Sequence, residues 1–201
     1  MNSFRPHIAA VIAAAAMLTL SSCSSMAGMP GMDHGAAPSA SPTADAAATY
    51  NDPDVIFAQG MLPHHEQAVE MSEVILAKPD IDPRVTELAS TIKAAQEPEI
   101  GQLQRWLTAW GAEDIGSMDH GAHGMTGLMS EEDMAALEEA TGVTASTLFL
   151  EQMIAHHQGA VDMAQTEVEE GENPDAITMA EEIVRSQTDE ITVMQDILTT
   201  L

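Results

Sequence analysis

From Asp52 to the C-terminus the apolar positions recur three and four residues apart and never alternate at a period of two, so the chain predicts helices and no strands. Asp52-Pro53 reads as an N-cap followed by proline at the first helical position, opening a helix to about Ala77. Lys78-Pro79-Asp80-Ile81 reads as a turn. Asp82-Pro83 repeats the opening signal for a second helix to about Trp110, with a kink or break expected near Glu97 because Pro98 follows it. Gly111 to Met129 is Gly-rich and poor in apolar residues. Ser130-Glu131-Glu132-Asp133 then has the form of a capping box for a short helix that stops at Gly142. A third long helix is predicted from about Ser146 to Glu170, ended by Gly171, and Asn173-Pro174 opens a fourth that reaches the C-terminus.

The pattern is written twice. Met61-Leu-Pro-His64-His65-Glu-Gln-Ala-Val-Glu-Met71 returns as Met153-Ile-Ala-His156-His157-Gln-Gly-Ala-Val-Asp-Met163. Ile92, Gln96, Glu99, Ile100 and Gln104 of the second helix return as Ile183, Gln187, Glu190, Ile191 and Gln195 of the fourth. One helical hairpin has been duplicated, and two amphipathic hairpins bury their stripes best as an all-α four-helix bundle with approximate two-fold symmetry. The domain organisation expected is a four-helix bundle over residues 50–201 with a Gly/Met/His-rich loop at 111–129.

Upstream of the bundle the composition changes twice. Arg5 and His7 precede an apolar run from Ile8 to Leu20 that is too short for a stable membrane span. Leu20-Ser-Ser-Cys23 follows, similar to the lipobox of bacterial lipoproteins, in which the cysteine is lipidated and becomes the new N-terminus. Residues 1–22 are therefore expected to be a signal peptide, Cys23 the lipidation site and residues 23–49, rich in Ala, Gly, Pro and Ser, a flexible tether. Those features place the protein outside the cytoplasm, held to the membrane of the bacterial envelope. Cys23 is the only cysteine, which excludes a disulfide, a zinc–thiolate centre and a cysteine nucleophile within the bundle. The formal net charge of −26 argues against nucleic acid as a partner and favours cations near the surface.

On a helix turning about 100° per residue, Phe57, Met61, Ala68 and Ser72 form one stripe, with His64 and Met71 on one flank and His65 on the other. Phe149, Met153 and Ala160 repeat that stripe with His156, Met163 and His157 on its flanks. Packed face to face, the two helices bring four histidines and four methionines toward the bundle axis. The plainer reading is that each imidazole is an interior group bonded to a Gln or Glu of the neighbouring hairpin helix. The duplication favours a metal site formed by Met61, His64, His65, Met71, Met153, His156, His157 and Met163. Met-x-x-His replaces the Glu-x-x-His of carboxylate-bridged di-iron bundles, and thioether with imidazole suits Cu(I), with silver or zinc as alternatives. Met-Asp-His-Gly occurs in both apolar-poor stretches, around Met32 and His34 and again around Met118, His120, His123 and Met125. A methionine outside a core has no packing role, so these six residues are secondary metal-ligand candidates.

The repeated Phe-x3-Met-(Leu/Ile)-x-His-His-x2-Ala-Val-x-Met, each followed by Gln-x2-Glu-Ile, resembles the bacterial family catalogued as domain of unknown function 305, from about Asp52 to Leu201. The resemblance implies a ferritin-like fold, a secreted or membrane-anchored location and, for some members, copper binding and copper tolerance. The family also tends to carry an Asp three residues before the Phe; Asp54 fits, whereas the second copy has Ser146. The function expected is an envelope lipoprotein that binds Cu(I) as a buffer, more a binding protein than an enzyme. Two other readings stand beside it: a metal-dependent oxidase or peroxide-handling bundle, and a structural, partner-binding lipoprotein whose histidines sense pH.

Overall fold

The computed structural model describes residues 49–112 and 127–201. The signal peptide, Cys23, nearly all of the tether and the Met/His-rich part of the central loop lie outside those residues. Five helices are present: α1 (Asp52–Leu76), α2 (Pro83–Trp110), α3 (Glu131–Glu139), α4 (Gly142–Glu170) and α5 (Pro174–Leu198), with no strand among the described residues.

Three of the four long helices start at their signals, whereas α4 starts at Gly142, four residues before the expected Ser146, with Thr141 as a cap that makes no side-chain bond. The cap of α1 is Asn51 rather than Asp52: the Asp54 N–H donates to Asn51 Oδ1 (3.1 Å) and the Asn51 N–H donates to Asp54 Oδ2 (2.6 Å), a reciprocal capping box. Asp82 and Asn173 cap α2 and α5, each ahead of a proline in the first turn. Ser130 and Asp133 close the predicted box of α3, which ends at Glu139 instead of reaching Gly142. Of the kink or break expected near Glu97, the break is absent: α2 continues through Pro98. Pro98 and Ala94 are both exposed, so the carbonyl that loses its partner at proline faces water. Pro63 likewise sits inside an unbroken α1.

α1 packs along α2 and α4 along α5, and the two hairpins meet through α1 and α4; α3 lies against both of these. The apolar core is divided in two. One cluster joins Met71 and Ile75 of α1 to Ile92 of α2, Phe149 and Met153 of α4, and Met194 of α5. The other joins Phe57 and Met61 of α1 to Leu103 and Trp106 of α2, Ala160 and Met163 of α4, and Ile183 of α5. Met61 thus shares a cluster with Met163, and Met71 with Met153, so α1 and α4 run antiparallel. Between the clusters every long helix contributes polar residues: His64 and His65, Gln96 and Glu99, His156 and His157, Gln187 and Glu190.

One end of the bundle is held by Asp54. Its carboxylate, besides capping α1, accepts the N–H of Asn173 (2.9 Å) and of Glu172 (3.2 Å) in the turn between α4 and α5. Ser146, the counterpart of Asp54 in the second copy, accepts the Asp82 N–H at 3.4 Å in the turn between α1 and α2. Asp54 is therefore a clasp between hairpins, and Ser146 is its weaker copy.

Candidate metal centre

The histidine layer follows from helical geometry. Two adjacent residues on a helix differ by about 100°, so His64-His65 cannot point the same way, nor can His156-His157. The structure uses that divergence. All four rings are buried, but the first of each pair faces the other hairpin and the second faces its own. His64 and His156 meet across the α1–α4 interface with ring centroids 3.7 Å apart and planes inclined by 41°. His65 Nε2 lies 2.8 Å from Glu99 Oε2, and His157 Nε2 lies 2.7 Å from Glu190 Oε2. The interior hydrogen-bonding role therefore applies to His65 and His157, with the repeated Glu of Gln-x2-Glu-Ile as partner.

His156 is different. Neither ring nitrogen makes a hydrogen bond of sound geometry. Burial, followed by the neighbouring His64, His157 and His65 imidazoles, pushes its pKa well below the ordinary value of 6.5, and the His64 carbonyl offsets this only in part. His156 is accordingly a neutral imidazole with an uncompensated lone pair in the protein interior. The Nδ1 atoms of His65 and His157 are also buried without a partner. Leaving such groups unsatisfied costs on the order of 1–3 kcal/mol each.

The methionines bracket this layer instead of converging within it. Met61, Met71 and Met153 are fully buried and Met163 is half-buried, two in each apolar cluster. Adjacent histidines diverge, and each helix carries its methionines on opposite sides of its His-His pair. Among the described residues no three of His, Cys, Asp and Glu stand ready around one point to hold a metal ion. What the fold does bring together is the His64–His156 pair, with thioethers above and below.

The central loop returns to the fold on top of this layer. Gly127 has φ +91°, and a Cβ there would stand 2.9 Å from the Ala155 carbonyl oxygen and 3.0 Å from that of His156, so only glycine allows the close approach. Two residues on, Met129 is clamped to α1: its N–H donates to Gln67 Oε1 (2.7 Å) and Gln67 Nε2 donates to its carbonyl (2.9 Å). Gln152 Nε2 donates to the Asp133 carbonyl and fixes α3 (2.9 Å). The candidates Met32, His34, Met118, His120, His123 and Met125 lie outside the described residues. The ends flanking the two stretches that carry them do meet in the fold, where Tyr50 stacks on Trp110 at 5.0 Å and donates to its carbonyl oxygen at 3.1 Å.

Fold and layer together define a class: an all-helical protein of two repeated hairpins with a histidine layer buried between them. The chain belongs to the family described as Domain of unknown function (DUF305), which it matches over residues 54–198. A DUF305 fragment from Deinococcus radiodurans is 32% identical, covers 75% of this chain and 98% of its own, and superposes with a TM-score of 0.68. A DUF305 protein described as secreted, from Streptomyces coelicolor, is 33% identical, covers 73% and 91%, and has a TM-score of 0.66. CopM in its Cu(II)-bound form is 33% identical, covers 73% and 95%, and has a TM-score of 0.62; CopM was also solved with Cu(I) and with Ag. No match was found among proteins of curated function.

Proposed function

We propose that this protein is a copper-binding lipoprotein of the bacterial envelope, holding Cu(I) between its two hairpins as a buffer that protects the cell from excess copper. The observation that carries the reading is the buried His64–His156 pair, in which the lone-pair nitrogen of neutral His156 meets no hydrogen-bond donor. An apolar side chain would fill that space without the penalty, whereas an ion would satisfy it. Imidazole flanked by thioether is a soft donor set that favours Cu(I) or Ag(I) and accepts Zn(II) less well. The copper- and silver-bound forms of CopM support the choice. An oxidase is disfavoured because Glu99 and Glu190 are engaged by imidazole, whereas carboxylate-bridged bundles keep such groups as metal bridges. Those same two bonds favour the structural reading for His65 and His157.

The test is competition of the purified protein with a Cu(I) chelator, followed by melting curves with Cu(I), Ag(I), Zn(II) and Fe(II). Cu(I) and Ag(I) are expected to raise the melting temperature most, and His64→Gln with His156→Gln to remove the shift. Identical melting with and without every ion in the wild type would return the histidines to a purely structural role. Anchoring is tested separately. Cys23→Ala is expected to leave the precursor uncleaved and unlipidated, since the lipid is to be attached at that sulfur. A mature, membrane-bound product from the variant would remove the anchor from the proposal.

A further inference from the structure

We propose that Glu99 and Glu190 are positioning residues that fix His65 and His157 as Nε2–H tautomers, leave each Nδ1 lone pair for an ion, and tune the layer toward divalent charge. This rests on the metal-binding reading above and deepens it. The geometry is the same in both copies: Nε2 to carboxylate at 2.8 and 2.7 Å, and Nδ1 buried with no partner. A carboxylate accepts, so Nε2 must carry the hydrogen. In the neutral ring Nδ1 is then a lone pair. A hydrogen on Nδ1 instead would be a buried donor with nothing to receive it. A carboxylate behind an imidazole also makes the ring a stronger donor to a metal.

Charge supplies the second half. Among the described residues neither Glu99 nor Glu190 pairs with lysine or arginine; each half-buried carboxylate pairs with its histidine. With neutral imidazoles the layer carries two negative charges close to a low-dielectric interior. A divalent ion neutralises both, and a monovalent ion neutralises one, so the carboxylates favour the divalent ion while the thioethers favour the soft monovalent one. The same layer is thereby equipped for copper in either oxidation state.

The experiment uses the intact protein with ¹⁵N-labelled histidine. In the metal-free wild type, ring-nitrogen shifts of His65 and His157 are expected to show Nε2 protonated and Nδ1 bare; a protonated Nδ1 on either overturns the tautomer claim. Glu99→Gln with Glu190→Gln keeps an acceptor oxygen and removes the charge. Zn(II) affinity is expected to fall on the order of 10–100-fold, and Ag(I) affinity by about the square root of that factor, roughly 3–10-fold, because a single charge feels half the Coulomb energy. Equal losses for both ions, or none, overturn the charge claim. If the double variant does not fold, each single variant is read the same way, with a smaller selective loss of Zn(II) expected. A wild type that binds neither ion defeats the charge claim together with the metal reading, while the metal-free spectrum still decides the tautomer.

Discussion

Glu167, in the last turn of α4, is buried beside Asp54, and neither of its oxygens has a hydrogen-bond donor. Burial first, then the Asp54 carboxylate, pushes its pKa from 4.5 up to about 8. Protonated Glu167 donates to Asp54, whose own carboxyl the backbone donors Asn51, Asn173 and Glu172 hold below its ordinary 3.8, against the opposing effect of burial. The sign follows from proton counting. Folded Glu167 binds more protons than unfolded between pH 4.5 and 8, so stability falls as pH rises through that window. His156, depressed below 6.5, binds fewer protons folded than unfolded under 6.5, so its contribution is lost as pH falls. The two slopes oppose one another below pH 6.5, and of the two only that of Glu167 persists well above it. Urea unfolding of the metal-free protein is therefore expected to show stability declining from pH 6.5 to about 8. Glu167→Gln, which keeps a donor for Asp54, is expected to flatten that decline; an unchanged slope in the variant would assign it to other groups.

Between elements, the clasp at Asp54 and its weak copy at Ser146 make a paired prediction. Asp54 accepts three backbone N–H groups in the interior, whereas Ser146 accepts one at 3.4 Å. Asp54→Ala is expected to cost about 2–3 kcal/mol and Ser146→Ala less than about 1 kcal/mol, measured by chemical denaturation. Comparable losses would mean that the additional backbone hydrogen bonds at Asp54 do not set the strength of the tie. Pro98 gives a prediction of opposite sign. A proline in a helix interior costs up to about 3 kcal/mol, but here the lost hydrogen bond opens to water. Pro98→Ala is expected to raise stability by about 1 kcal/mol without changing the binding of any ion. A loss of stability would show that proline contributes to the packing of α2 in a way that its lost hydrogen bond does not capture.

For the whole molecule, the proposed site exists only where two hairpins meet, so an ion should bind the folded chain and stabilise it in proportion to the logarithm of its free concentration. His64→Gln with His65→Gln is expected to abolish the Cu(I)-dependent shift as completely as replacing all four histidines, because one hairpin encloses nothing. The methionines now divide by cluster. Met61→Leu with Met163→Leu, and separately Met71→Leu with Met153→Leu, should preserve the metal-free fold, since Leu and Met are close in volume. Whichever pair lowers Cu(I) affinity more than Zn(II) affinity identifies the side from which thioethers reach the ion. A quadruple histidine variant that unfolds without metal, beside a wild type with no metal-dependent shift, would leave only a structural layer.

The helices, their caps at Asp82, Ser130 and Asn173, the duplication and the family were legible in the sequence because each is local. A cap depends on a few neighbouring residues, a stripe on a period of 3.6, and a repeat on comparing the chain with itself. The departures are local signals overruled by surroundings: Pro98 does not break α2 because water serves the freed carbonyl, and Asn51 displaces Asp52 because Asp54 can answer it across one turn. The repeated Gln-x2-Glu-Ile was visible, and a Gln or Glu of the neighbouring helix was the expected partner of an interior imidazole; which of the two it is, and for which histidine, was not. The clasp of Asp54 on the turn before α5 and the proton held by Glu167 were not legible at all, since their partners lie more than a hundred positions away and no sequence period links them. Periodicity could put His64, His65, His156 and His157 near the interface. Only the packing of antiparallel α1 on α4 decided that one ring of each pair turns to Glu99 or Glu190 and the other meets its twin, because those directions depend on which helix stands opposite.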